Sequence, residues 1–337
     1  MMHHSVFSGE ALQAMTTRLG FIGFGIMGER LLRAALDHDK HSITVTGVFD
    51  PGARTADRLA SIDPGLEVFR SAREVIAASD CLHIASPPLS HLDYLRQCQA
   101  AGKAALCEKP LATDVVLATK VVEDLVANGM RAAVNFPFAS SFAGDYLKTW
   151  LEDGVIGTPE RVDIELAFAT WPRSWQMAAV DWLDGRAEGG FTREVGSHFL
   201  FLSRRFFGPL QLLSATCGYP EPDRSERDVR VDLRAGDLPV SLSGGVGTTS
   251  KDDHNTWTIT GSKGRIRLRD WSIAEQEVDG RWQAPSDALP NVKARPLILA
   301  RQLDKVDAMT RGEAHNLASL SEALEIQRIV EQILKAA

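Results

Sequence analysis

The chain has 337 residues, 44% hydrophobic and 24% charged, which suits two domains with ordinary globular cores. Its 37 Lys and Arg against 44 Asp and Glu leave a formal charge of −7, which argues against a general affinity for nucleic acid or an anionic membrane. No apolar run reaches the ~18 residues of a spanning helix, and the start, MMHHSVFSGEALQA, lacks the basic segment and apolar core of a secretory signal.

Residues 1–15 read as a disordered tail, and the fold signal begins at Thr16; His3 and His4 are too isolated for a metal site. Arg18–Gly23 is a short apolar strand ending in glycine, and Met27–Leu36 carries apolar residues at helical spacing. Ile43–Phe49 is β-branched and strand-like, Arg54–Ala60 helical, Glu67–Phe69 a short strand and Ala72–Ala78 a short helix. Cys81–Ala85 is a buried strand broken by Pro87 and Pro88, followed by a helix over His91–Ala101. Ala104–Cys107 is a fifth strand, Thr113 reads as the cap of a helix over Asp114–Asn128, and Arg131–Asn135 is a sixth strand. Strands alternating with helices in this way predict a parallel, doubly wound sheet.

The pattern changes after Asn135. A helix over Ser140–Glu152 is followed by strand-like runs at Glu160–Ala169, Leu210–Cys217, Val229–Leu233, Val240–Gly245, Thr256–Thr260 and Arg265–Leu268. Gly, Pro and Asp turns between most of them predict antiparallel neighbours. A helix at about Thr192–Phe207 interrupts the strands, and Leu317–Ala336 is an amphipathic helix. Cys81, Cys98, Cys107 and Cys217 have no CxxC spacing, and three fall in apolar runs. They read as reduced thiols, hence a cytoplasmic location.

Gly23-Phe24-Gly25-Ile26-Met27-Gly28 is GxGxxG, set between a strand and a helix. Gly23 permits the tight turn, Gly25 lets the backbone approach a pyrophosphate, and Gly28 lets helix and strand pack closely. The helix N-terminus offers unpaired N–H groups and a positive dipole end to phosphates. Asp50 ends the second strand, where an acid accepts from the adenosine ribose hydroxyls. A carboxylate there repels a 2′-phosphate and favours NAD; Arg54 nearby could pair with that phosphate and keeps NADP open. The alternative for Asp50 is a plain turn acid before Pro51-Gly52.

Glu108-Lys109-Pro110 follows the fifth strand, at the end of the sheet that lines the ligand crevice in doubly wound folds. At this point the sequence resembles the glucose–fructose oxidoreductase / inositol dehydrogenase (Gfo/Idh/MocA) family. The GxGxxG turn, Ser86-Pro87-Pro88 with His91 downstream, and Cys107-Glu108-Lys109-Pro110 match in order and spacing. Gly189-Gly190-Phe191-Thr192-Arg193-Glu194-Val195-Gly196-Ser197-His198 looks like the family's glycine-rich segment leading into a helix with an acid and a histidine, and Gly261-Ser262-Lys263-Gly264 like its late turn. Three departures stand out. Glu194 replaces the usual Asp, Phe191 the usual third glycine, and Asn135-Phe136-Pro137-Phe138 lacks the Arg or Tyr common in sugar-oxidising members.

The resemblance implies that Gly23 to Gly28, Asp50, Arg54, Ser86, Pro87, His91, Glu108 and Lys109 hold the dinucleotide. It implies that Lys109 and His198 are the proton-transfer pair, with Glu194 at the acid position, and leaves open which of the two is the immediate base. Lys109, Asn135, Arg193 and His198 are the candidate substrate contacts. Glu194 and His198 stand at i and i+4, so on an α-helix they share a face, and the carboxylate would stabilise the protonated imidazole. A bland surface pair is the alternative. Arg193 could bind a substrate carboxylate or phosphate, or only a neighbouring acid. Trp171, Trp175 and Trp182 could stack on a sugar or simply pack. His83 reads as a satisfied core residue. No third and fourth ligand accompanies Glu194 and His198 at metal-site spacing.

The expected fold is therefore α/β: an NAD(P)-binding Rossmann domain over 16–135, then an α+β domain with a large, mostly antiparallel sheet over 136–337. The resemblance implies that this sheet buries its open face in a homodimer or homotetramer. The expected activity is hydride transfer between nicotinamide and a hydroxyl or carbonyl of a sugar, cyclitol or polyol. Reduction of an imine or oxo-acid with Arg193 on its carboxylate, and a non-catalytic dinucleotide sensor, are the alternatives.

Overall fold

The computed structural model describes residues 16–39 and 42–336; the expected tail, with His3 and His4, lies outside the described residues. The described chain divides into two compact units. The first comprises residues up to Glu108, Asp124–Asn135 and Leu299–Leu317; the second comprises Lys109–Glu123, Phe136–Ile298 and Ala318 onward. Relative to a single boundary after Asn135, residues 109–123 go to the second unit and 299–317 to the first.

The first unit is a parallel sheet of β1 (Thr17–Ile22), β2 (Ile43–Phe49), β3 (Glu67–Val68), β4 (Cys81–Ile84), β5 (Ala104–Cys107) and β6 (Ala132–Val134), in spatial order β6-β5-β4-β1-β2-β3. Every pairing among these strands is parallel. The chain order reverses at β1, which lies between β4 and β2, and a doubly wound sheet opens its ligand crevice at such a switch point. β4 and β5 are buried throughout, as strands covered on both faces must be. The core includes Leu19, Phe21, Val48 and Leu106, and takes in Leu299, Leu303 and Val306 from the late segment. That segment is anchored by polar contacts as well: Thr17 Oγ1 donates to Asp307 Oδ1 at 2.6 Å, and His38 Nε2 lies 3.1 Å from Asp304 Oδ1. It belongs to a helix, Asn291–Arg311, that sequence patterning did not show because Pro296 interrupts it. The helix before β6 spans Val115–Ala127, and its cap is a correction: Asp114, not Thr113, accepts from the N–H groups of Val116 and Leu117.

The second unit is built on an eight-stranded sheet: β7 (Pro159–Phe168), β8 (Leu210–Gly218), β9 (Asp228–Ala235), β10 (Leu238–Val246), β11 (Asp253–Gly261), β12 (Gly264–Arg269), β13 (Ile273–Val278) and β14 (Arg281–Gln283). Its order is β14-β13-β12-β11-β7-β10-β9-β8. The expected antiparallel pairing holds except at the centre, where β7 and β10 run parallel. β9 alternates strictly: Val229, Val231, Leu233 and Ala235 are buried, while Asp228, Arg230, Asp232 and Arg234 face solvent. The helix Ser197–Phe207 packs on β8 and β9 and against the C-terminal helix Leu320–Lys335. Trp257 Nε1 donates to Ser203 Oγ at 2.8 Å across this core. Phe191 is fully buried beside Phe168 and Trp171, and Gly244 on β10 makes room for it: a Cβ there would lie 2.6 Å from the Phe191 ring. The C-terminal helix begins at a capping box, Ser319 with Glu322.

Candidate active site

The glycine turn has the form that a pyrophosphate cradle requires. Gly23 has φ +95°, and a Cβ on it would lie 2.5 Å from the Ala85 carbonyl. A Cβ on Gly28 would collide with the carbonyl oxygen of Gly23. Both glycines are demanded by the protein's own packing. Gly25 is not: it is exposed, has φ −73°, and a Cβ there meets nothing within 4 Å. It is the N-cap of Ile26–Leu36 and makes no side-chain cap hydrogen bond, so no capping side chain occupies the start of this helix, where first-turn N–H groups can receive an anion. These are features of a site shaped for a phosphate.

Asp50 is committed partly to the turn. Its Oδ2 accepts from Phe24 N at 2.7 Å, and its Oδ1 from Gly52 N at 2.7 Å and Thr55 Oγ1 at 3.0 Å. A carboxylate accepts about four hydrogen bonds, so room remains for a ribose hydroxyl on Oδ2. Both readings of Asp50 thus stand together: it ties down the glycine loop and still presents an acceptor. Arg54 is exposed at the start of Thr55–Ala60. Ser86 and exposed Pro87 follow β4 at the switch point. Ser86 Oγ accepts from Ser90 Oγ at 2.7 Å, and buried His91 sends Nε2 to the Ser86 carbonyl at 2.8 Å. His91 therefore fixes the loop rather than facing outward.

Glu108 and Asn135 are brought to each other. Glu108 Oε1 accepts from Asn135 Nδ2 at 2.6 Å and lies 3.0 Å from His83 Nε2, while Gln302 Nε2 donates to Asn135 Oδ1 at 2.7 Å. All four side chains are buried. This buried polar chain spans the ends of β4, β5 and β6 and sets where the backbone leaves β5 for Lys109. The expectation of a satisfied His83 holds for Nε2, whereas Nδ1 is buried without a partner among the described residues.

In the second unit Lys109 Nζ donates to Glu194 Oε2 at 2.7 Å and to the Glu194 carbonyl at 3.2 Å. Both side chains are about one-tenth exposed, 11% and 9%. The expected Glu194–His198 partnership is corrected. Thr192–Gly196 winds as a π-helical turn before Ser197 begins the α-helix, so the α-helical face argument does not apply. Glu194 turns to Lys109, its Oε1 and the Nδ1 of His198 are both buried without partners among the described residues, and no carboxylate stabilises an imidazolium. The His198 ring packs edge-on against Phe136, Phe138 and Trp271, at 5.4, 6.0 and 5.5 Å between centroids. Burial, then the charges of Lys109 and Arg173, hold its pKa well below the ordinary histidine value, so His198 is neutral at pH 7.

Of the roles open to Arg193, the structure shows the neighbouring acid. Nε and Nη2 grip both oxygens of Glu331 at 2.8 and 2.9 Å, and Nη1 donates to the carbonyls of Gly189 and Arg186. Of the tryptophans, Trp171 is core, its Nε1 on the Leu183 carbonyl. Trp182 is half-buried, and Trp175 is exposed with the Arg173 guanidinium 4.7 Å from its ring. Sequence reasoning missed Arg173, Asp253 and Trp271. Asp253 Oδ2 accepts from Arg173 Nη1 at 2.7 Å and from Trp271 Nε1 at 3.2 Å. Trp271 and Asp270 both adopt positive φ, +74° and +46°, which turns the indole onto His198. No motif signals that; an Asp-Trp pair between two strands was the only trace. Among the described residues no three His, Cys, Asp or Glu side chains converge as a metal group would require.

The fold and these two sites define a dinucleotide-binding oxidoreductase class. Residues 17–136 match the model described as oxidoreductase family, NAD-binding Rossmann fold, and residues 145–267 match the GFO/IDH/MocA C-terminal domain. The chain belongs to the Gfo/Idh/MocA family. An inositol 2-dehydrogenase from Cereibacter sphaeroides is 38% identical over 118 residues, which is 35% of either chain, so the chain spans about a third of that relative's length. A Thermotoga maritima oxidoreductase superposes over 96% of this chain and 97% of its own with TM-score 0.81 at 20% identity. The WlbA dehydrogenase from Bordetella pertussis, solved with NADH and UDP-GlcNAcA, covers 96% of both chains with TM-score 0.77 at 21% identity. At those identities the two structures establish the fold.

Proposed function

We propose that the protein is an NAD-dependent dehydrogenase that reversibly oxidises a hydroxyl of a sugar, cyclitol or related polyol. The observation that carries the cofactor assignment is the open space at Gly25 beside two glycines that packing alone demands, with Asp50 one hydrogen bond away on Phe24. The family description and the inositol 2-dehydrogenase relative support the activity. A bound nicotinamide ring supplies the hydride acceptor. Lys109 has three N–H donors and spends two on Glu194, so one is left to hold the substrate oxygen. Neutral His198 is able to take the hydroxyl proton as the C–O bond becomes C=O. Glu194 keeps the Lys109 ammonium aimed.

Asp50 disfavours a 2′-phosphate, so NADH should bind more tightly than NADPH, and Asp50→Asn, which keeps an acceptor for the turn, should narrow that preference. Tighter NADPH binding would transfer selectivity to Arg54; failure of both to quench protein fluorescence would sink the assignment. Turnover of polyols lost in Lys109→Met with NADH binding kept supports the enzyme, whereas a wild type that binds NADH and turns over no polyol supports a dinucleotide sensor. The version in which Arg193 grips an oxo-acid is disfavoured by the Glu331 clamp.

The same reading takes the chain to be a cytoplasmic homodimer or homotetramer joined through the solvent face of the eight-stranded sheet. Cys81, Cys98, Cys107 and Cys217 are all unpaired, as suits a reducing compartment, and no described helix is long and apolar enough to cross a membrane. The alternating Asp and Arg of β9 can complement a second copy of themselves across a two-fold axis.

A further inference from the structure

Trp271 sits where local backbone chemistry asks for a different residue. With Asp270 it turns the chain from β12 to β13, and both residues have positive φ, +46° at Asp270 and +74° at Trp271. Glycine and asparagine take that conformation with little strain, aspartate tolerates it, and a bulky side chain resists it. A tryptophan kept there points to a use for the indole where the turn puts it.

Both turn residues are tied to the start of β11. Asp270 N donates to the Asn255 carbonyl at 2.9 Å, and Asp270 Oδ1 lies 2.7 Å from His254 Nδ1. Trp271 Nε1 donates to Asp253 Oδ2 at 3.2 Å. Asp253 is held in turn by Arg173 Nη1 at 2.7 Å, and buried Arg173 donates from Nε to Gln176 Oε1 at 2.9 Å. So held, the indole lies against His198 at 5.5 Å, Phe199 at 5.4 Å and Phe138 at 5.8 Å between centroids. Three rings pack on the His198 imidazole. Of these, Phe136 and Phe138 are buried, and Trp271 is the one that is only half-buried and reaches solvent. His198 Nδ1 has no hydrogen-bond partner among the described residues, so the orientation of the ring rests on this packing.

We infer that Trp271 is a positioning residue of the candidate site: its indole, pinned by Asp253, fixes the plane of the His198 imidazole and shuts water away from it. This rests on the dehydrogenase reading above, in which neutral His198 takes the hydroxyl proton. A base that must stay neutral and meet substrate rather than water needs a dry, rigid setting. The charges around it are Lys109 and Arg173, with Glu194 committed to the first and Asp253 to the second. Burial outweighs those charges in holding the imidazole neutral. Opening the wall to water therefore returns the ring toward its ordinary titration.

The experiment follows the His198 ring nitrogens by NMR through an acid titration of the full chain. In the wild type the ring should stay neutral to well below the ordinary midpoint of ~6.5. Trp271→Gly suits the positive φ and removes the indole; it should raise the midpoint by about one pH unit or more. Trp271→Phe restores a ring and should bring the midpoint to within about half a unit of the wild type. A single cooperative melting transition reports that each variant is folded. Deuterium exchange at His198 Cε1 reads the same wall in the wild type without any substitution, and should be slower than at half-buried His254. A wild-type ring that titrates near ~6.5 or exchanges as fast as His254, or a midpoint that Trp271→Gly leaves in place, overturns the assignment. Equal shifts in the Gly and Phe variants overturn it too, because they mark general loosening rather than a lost wall. If the titrations behave as expected and the wild type oxidises no polyol, the wall stands and the dehydrogenase reading falls.

Discussion

Arg193 shows how much a residue's role depends on what folds against it. From sequence it was a cation next to a catalytic acid. In the structure it is a buried bolt between the π-helical turn and Glu331 on the C-terminal helix. Removing one partner of such a pair leaves a buried charge, at about 3–5 kcal/mol. Arg193→Ala should therefore lower the melting temperature by roughly 10 °C and affect acid and neutral substrates alike; a stable variant with selective loss on acids would restore its substrate role. His198 makes a second prediction at this scale. Its folded pKa is depressed, while in the unfolded chain it titrates near ~6.5. Below that pH the unfolded state binds the extra proton. The contribution is then fully present above about pH 6.5 and is lost on acidification toward the folded pKa, by up to about 1.4 kcal/mol per pH unit. Wild type should lose thermal stability between about pH 6.5 and pH 5 more steeply than His198→Gln. Parallel slopes for the two proteins would contradict a buried neutral imidazole.

At the scale of elements, the glycine turn separates what the fold needs from what a ligand needs. Gly23→Ala puts a Cβ against the Ala85 backbone at positive φ, and should destabilise the first unit by about 1–3 kcal/mol. Gly25→Ala meets no protein atom. It should leave the melting temperature within about 1–2 °C and still weaken NADH about tenfold or more, because the added methyl occupies the approach of the pyrophosphate. Unchanged NADH affinity in a well-folded Gly25→Ala would remove the cradle from the turn. The turn was legible because its strand, glycines and helix are contiguous. The π-helical turn at Thr192–Gly196 was not, since the residues read as ordinary helix and nothing local marks the wider winding. The helix Asn291–Arg311 was hidden by Pro296, and its burial depends on Leu299, Leu303 and Val306 meeting residues far away in sequence.

For the whole molecule the testable quantity is assembly. The exposed face of β9 carries Asp228, Arg230, Asp232 and Arg234, so a two-fold interface across it would be rich in Arg–Asp pairs. Light scattering should give a mass at least twice 36.8 kDa, and Arg230→Glu should shift it toward the monomer without changing the melting curve of the monomeric form. A monomer in the wild type at micromolar concentration would reject the sheet as the interface.

By itself the sequence determined the parallel sheet, the glycine turn with Asp50, the change of pattern after Asn135, and the Glu108-Lys109-Pro110 element. Those signals are local: periodicity, turn residues and fixed spacing act within a strand and its neighbours. Tertiary structure alone decided which charges meet. Glu194 reaches Lys109 rather than His198, Arg193 reaches Glu331, and Glu108 joins His83, Asn135 and Gln302. An ion pair or hydrogen bond is settled by distance in space and by the water it excludes, and residues 85 and 138 positions apart carry no sequence mark that they will touch.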